Sequence, residues 1–127
     1  MASLIMPEWF ADETLFIREK GRKMMAAYVI FDVPPVGNLE AMKSYRETAF
    51  DTLVPYGGRP IVRTNDIDVR EVRPDNSWTP TRLLIIEFPT LAAARAWYES
   101  PEYQAVLPLR LNARGPDNMV IVEGVQE

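Results

Sequence analysis

Two short runs limit the possible folds more than anything else in this chain. Residues 26–33 (AAYVIFDV) and 82–88 (RLLIIEF) are apolar at both odd and even positions. A strand turns successive side chains to opposite faces, so a run that is apolar at both parities belongs to a sheet covered on both sides. Their β-branched and aromatic content suits strands, and Pro34-Pro35 stops the first of them.

The remaining elements fall around these two. Asn38 is placed to cap a helix whose apolar residues Leu39, Met42, Tyr45, Ala49 and Leu53 recur at spacings of three and four, and Gly57-Gly58 closes it. Residues 59–73 read as a long strand interrupted by a bend at Thr64-Asn65-Asp66. The turn PDNSWTP then leads into residues 82–88, so the two strands form a hairpin. Thr90 caps a second helix with Leu91, Ala94 and Tyr98 on one stripe. Ser100-Pro101 restarts the helix, which runs to about Asn112, and Gly115-Pro116 ends it. Residues 118–123 (NMVIVE) are the last strand.

The order strand, helix, strand, strand, helix, strand is satisfied by an antiparallel sheet with both helices on one face and right-handed crossovers. The fold class is therefore α+β, a ferredoxin-like β-α-β-β-α-β layer. A monomer of that design leaves the second sheet face bare. The two-sided runs thus call for a second copy packed sheet to sheet, a homodimer forming a dimeric α/β barrel.

At 127 residues, 47% apolar and 25% charged, the chain has room for one core. The reading divides it into an N-terminal extension over residues 1–24, which is an arm, lid or tail, and the barrel domain over residues 25–127. Within the extension, residues 11–20 are long enough for a short helix bearing Leu15 and Phe16.

There is no Cys and no His. That removes thiolate and Ser-His-Asp nucleophiles, iron–sulfur clusters, His-ligated haem and Cys- or His-based zinc sites, so a metal-free and cofactor-free protein is expected. A net charge of −4 with scattered basic residues argues against nucleic acid. No apolar run approaches the roughly 20 residues of a membrane span, and the acidic N-terminus lacks the pattern of a secretory signal. A cytoplasmic location is expected.

Three stretches, YGGRPIVR at residues 56–63, EVRPDNSWTPTRLLIIEFPT at residues 71–90 and AWYESPEYQAVLPLR at residues 96–110, together resemble the bacterial domain-of-unknown-function family 1330. The resemblance covers about residues 26–123 and leaves the first 24 residues outside the family pattern. It implies a dimeric α/β barrel and assigns no reaction. The wider barrel group that it points to includes cofactor-free monooxygenases, haem-degrading enzymes, polyketide cyclases and proteins with no established catalysis. Fold alone does not choose among these, and the lack of His disfavours haem degradation and His-based cyclisation. Glu71 matches a family Glu, for which an interface salt bridge is as good an explanation as catalysis.

A pocket in such a layer lies between helices and sheet, so polar residues on inward faces are the candidates. Tyr45 is one. Tyr103, Leu107 and Arg110 share a face of the restarted helix, which turns Arg110 inward. There a guanidinium binds a carboxylate or enolate oxygen, or else an internal acid. Asp32 and Glu87 sit near the ends of the first and third strands. Read as parallel neighbours, these bring the two carboxyls to one rim, where a raised pKa makes a general acid or base; pairing with Arg59 or Arg63 is the competing use. Trp78, Trp97 and Tyr98 offer flat aromatic area for a planar ligand or for packing. Ser100 is a helix cap and, with no base partner, not a nucleophile.

The resulting expectation is a small enzyme acting on an organic, natural-product or polyketide-like molecule by acid–base or pocket-templated chemistry of the cyclase or isomerase kind. Asp32 or Glu87 serve as catalytic groups, Arg63 and Arg110 hold an oxyanion, and Tyr45, Tyr98 and Tyr103 orient the substrate. The alternatives are a ligand-binding or stress-type dimer without catalysis and a cofactor-independent monooxygenase.

Overall fold

The first apolar run becomes strand β1 (Ala27–Asp32), and its two-sided character matches its place inside a sheet. The computed structural model describes residues 25–33, 39–114 and 118–125. Along these run β1, helix α1 (Leu39–Leu53), a 3₁₀ turn (Val54–Tyr56), β2 (Arg59–Thr64), β3 (Leu83–Phe88), α2 (Leu91–Glu99), α3 (Pro101–Arg114) and β4 (Asn118–Glu123). The extension over residues 1–24, the Pro34-Pro35 stop, the Asn38 cap and the Gly115-Pro116 terminator lie outside the described residues.

The sheet order is β2-β3-β1-β4 with every neighbouring pair antiparallel, which is the α+β ferredoxin-like arrangement. The two runs apolar at both parities, β1 and β3, are the two inner strands. Ala27, Val29 and Phe31 face the helices and are buried, as are their partners on β3, Ile86 and Phe88. On the opposite parity Tyr28, Ile30 and Asp32 are half-buried. That open face carries an apolar belt across all four strands: Val62, Ile85, Ile30 and Val120 stand side by side in register.

The β2–β3 hairpin forms, but β2 ends at Thr64 instead of continuing to Arg73. Thr64 already pairs with Leu83, the first residue of β3, so a longer β2 has no neighbour to bond. The Thr64 hydroxyl accepts from the Asp66 amide at 2.8 Å and bends the chain away. Residues 65–82 then run without strand or helix.

On the other side α1 packs along α3, and α2 lies over β1, β3 and β4. The predicted stripe of α1 is the buried one: Met42, Tyr45, Ala49 and Leu53 all face the core. Gly57 takes φ +76°, a conformation that a side chain disfavours, and ends the 3₁₀ turn with its amide on Val54. Trp97, Tyr103, Phe31, Phe88 and Val29 fill the space between the layers. Each fully enclosed apolar or aromatic side chain of this kind stabilises by roughly 1.5–3 kcal/mol.

Candidate ligand-binding site

The polar groups of the helix–sheet interior are placed by one helix break. Thr90 caps α2 as expected, its hydroxyl accepting from the Ala93 amide at 3.0 Å. At the other end Ser100 stops α2 and starts α3. Its Oγ donates to the Trp97 carbonyl at 2.7 Å and accepts from the Tyr103 amide at 3.1 Å. With Pro101 setting the first helical residue, this double bond fixes the direction in which α3 leaves and points Tyr103 into the core.

Tyr103 is fully enclosed. Its ring lies 4.1 Å from that of Trp97 and 5.6 Å from that of Tyr98, and it meets Tyr45 edge-on at 6.3 Å. The Tyr103 and Tyr45 hydroxyls are hydrogen-bonded at 2.8 Å across the α1–α3 contact. Seven residues further along α3, about two turns and so on the same face, Arg110 stands with its guanidinium carbon 5.1 Å above the Phe31 ring. Arg110 is 4% exposed and Tyr45 7%, and Tyr98 is half-buried, so solvent reaches this cluster from those three side chains and not through Tyr103. Burial pushes the Tyr103 phenol above its usual value of 10.0. The Tyr45 hydrogen bond and the nearby Arg110 charge pull the other way without overcoming it. The phenol therefore keeps its proton at neutral pH.

The structure thus joins four of the predicted residues, Tyr45, Tyr98, Tyr103 and Arg110, into one aromatic and cationic cluster. Arg63 is on the edge strand β2, exposed, with its guanidinium 5.4 Å over the Phe50 ring of α1, apart from the other four. Asp32 and Glu87 correct the expectation. β1 and β3 are antiparallel, with Glu87 opposite Tyr28 and Asp32 opposite Leu83. The two carboxyls are consequently about 13 Å apart along the sheet, and both belong to the open face, with the sheet between them and Arg110. Glu87 accepts from Arg59 at 2.7 and 3.0 Å and from the Tyr28 hydroxyl at 3.4 Å. Asp32 accepts the Trp78 indole N–H at 2.8 Å.

Two features of the cluster escaped the sequence. Phe31 supplies the ring under Arg110, and Thr52 takes the Trp97 indole N–H at 2.9 Å, which locks the ring against which Tyr103 packs. The inward parity of Phe31 was legible. Its partner, 79 positions away in the chain, was not. Among the described residues no group of three or more His, Cys, Asp or Glu is arranged to hold a metal ion, and no helix is long and apolar enough to cross a membrane.

Comparison with known proteins places the fold. The profile of a domain of unknown function, DUF1330, matches residues 26–125. A protein of unknown function from Rhodopseudomonas palustris superposes with a TM-score of 0.64 at 14% identity, over 84% of this chain and 87% of that one. A protein from Nitrosomonas europaea described as a candidate antibiotic biosynthesis monooxygenase superposes with a TM-score of 0.50 at 18% identity, over 81% and 92%. A dimeric ferredoxin-like protein of unknown function from Thermobifida fusca gives 0.50 at 13% identity, over 80% and 93%. These likenesses are of fold. No functionally curated protein matches the sequence.

Proposed function

The chain belongs to the DUF1330 family, and from that premise we propose that it is a homodimeric small-molecule enzyme whose substrate places an anionic or enolisable oxygen at the Arg110 end of the Tyr45–Tyr103 pair. One observation carries the reading. Two hydrogen-bonded phenols and a guanidinium are gathered inside a mostly aromatic and aliphatic interior, where a charged group is costly to keep and ionisable groups concentrate at functional sites. The cluster is reached from Tyr98, which is half-buried, and from Arg110 and Tyr45, which retain slight exposure, and not through Tyr103, which has none.

The chemistry follows from protonation states. Neutral phenols and a permanent cation are donors, so together they stabilise negative charge developing on a carbonyl oxygen, as in enolisation, rearrangement or ring closure. Tyr98, half-buried beside Tyr103, offers a flat wall for a planar substrate. General acid–base work by Asp32 or Glu87 is left out of this reading, because both stand on the far face of the sheet. The proton leaving carbon goes to a basic group of the substrate itself, and the phenols only donate hydrogen bonds to the oxygen on which charge develops. Arg63, at the β2 edge, contributes only to a substrate long enough to extend past Phe50.

The homodimer is supported by the apolar belt on the open face, which a second sheet covers, and by the dimeric fold relative from Thermobifida fusca. A cofactor-independent oxygenation uses the same enolate-holding donors, and the fold likeness to the Nitrosomonas europaea protein favours it as the second reading.

Thermal unfolding in the presence of salicylate, benzoate and acetylacetone tests the site. A probe at 100 times its dissociation constant stabilises by about 2.7 kcal/mol, and Arg110→Gln and Tyr45→Phe remove the shift. No stabilisation by any of the three, or an equal shift in Arg110→Gln, overturns the site. Mass spectrometry of enol and diketone mixtures then separates turnover from binding alone, and oxygen uptake identifies the oxygenation.

A further inference from the structure

The segment between β2 and β3 is the other unusual part of the molecule. Residues 65–82 carry neither strand nor helix, and stretches of this length without regular structure are uncommon within a compact domain and are often functional. Three of its apolar side chains are left in solvent: Trp78 at 54% exposure and Val69 and Val72 at 45% each. Four of its charges are matched locally, Arg70 with Asp68 at 2.9 Å and Arg73 with Asp75 at 3.7 Å. The segment does not trail free, because the Trp78 indole N–H is held by Asp32, a residue of the open sheet face. That hydrogen bond satisfies the one polar atom of the ring and holds the rest of it at the margin of the apolar belt.

We infer that residues 65–82 are an interface arm that clasps the second copy of this chain, with Trp78 as its anchor. The inference rests on the sheet-to-sheet homodimer proposed above and adds to it which part of the chain makes the pairing strong. Area is the deciding argument. Four strands of six residues, spaced about 4.8 Å apart and rising about 3.3 Å per residue, give a footprint of about 400 Å². A stable interface takes about 800 Å² from each partner. The flat footprint of the sheet is about half of that, and the arm adds exposed apolar side chains, joined to the sheet face through the Trp78–Asp32 hydrogen bond. A tryptophan already oriented by its own N–H loses little freedom on docking, which is the property of a strong interface anchor.

Sedimentation velocity over a concentration series of wild type, Ile85→Glu, Trp78→Ala and Trp78→Phe tests this. Wild type dimerises and Ile85→Glu, which places a charge in the belt, is monomeric. Trp78→Ala raises the dissociation constant at least tenfold, while Trp78→Phe stays within a few-fold because it keeps most of the ring. A wild type that is monomeric throughout overturns the homodimer and the arm together. Dimers of wild type and Trp78→Ala with equal affinity, beside a monomeric Ile85→Glu, overturn the arm alone. Should Trp78→Ala not fold, hydrogen exchange of wild type above and below its dissociation constant decides. Amides of residues 65–82 slowed only in the dimer support the arm. Equal protection at both concentrations means the segment is covered within its own chain, and overturns it.

Discussion

Enclosure of Tyr103 makes the protein lose stability in alkaline solution. In the unfolded chain this phenol ionises near its ordinary value of 10.0, whereas in the folded protein burial holds the proton to higher pH. A folded pKa raised above the unfolded one contributes stability that is fully present below pH 10. The contribution is lost as pH rises from there toward the folded value, because only the unfolded state releases the proton. The slope approaches about 1.4 kcal/mol per pH unit where the unfolded phenol is ionised and the folded one still holds its proton. Tyr103→Phe has no proton to release and isolates the effect, since every other titration is common to both proteins. At neutral pH the variant takes away the hydroxyl bonded to Tyr45 at 2.8 Å, which costs about 1–2 kcal/mol. Wild type is therefore the more stable protein at neutral pH, and its advantage shrinks as the pH rises past about 10. Urea unfolding followed by circular dichroism across that range measures it. A difference that stays constant or widens above pH 10 would refute the reasoning, because Tyr103 would then ionise in the folded protein as easily as in the unfolded one.

Two further substitutions probe the parts that hold the cluster in place. Ser100→Ala removes both bonds that the hydroxyl makes at the α2–α3 break and lowers stability by about 1–2 kcal/mol in urea unfolding; a loss within error would mean the cap does not set the course of α3. Gly58→Ala puts a Cβ 2.6 Å from the Phe88 ring and 3.0 Å from Leu53. Phe88 is fully buried and has nowhere to retreat, so the melting temperature falls, with a cost of about 1–3 kcal/mol. An unchanged melting temperature would show that the ring yields.

Much of the fold was readable along the chain because it is written in local terms. The α1 stripe through Met42, Tyr45, Ala49 and Leu53, the Thr90 and Ser100 caps and the end of β3 at Phe88 each depend on residues within one or two turns of each other. Strand β2 was read too long because its end is set by where its partner β3 begins, a fact about a distant segment. The inward Arg110 was legible from helical spacing. That it settles over Phe31 was not.

The carboxylates show the same division. Which face of its strand each one takes follows from parity alone. Whether Asp32 and Glu87 approach one another depends on strand direction, and the antiparallel pairing sends them to opposite ends and Trp78 to Asp32. Local spacing and chain chemistry determined the element types, their inward faces and the lack of any imidazole or thiol. Only the packed structure decided which inward groups meet, because a contact between residues 58 positions apart, such as that of Tyr45 with Tyr103, is a property of how the layers stack and of no stretch of sequence by itself.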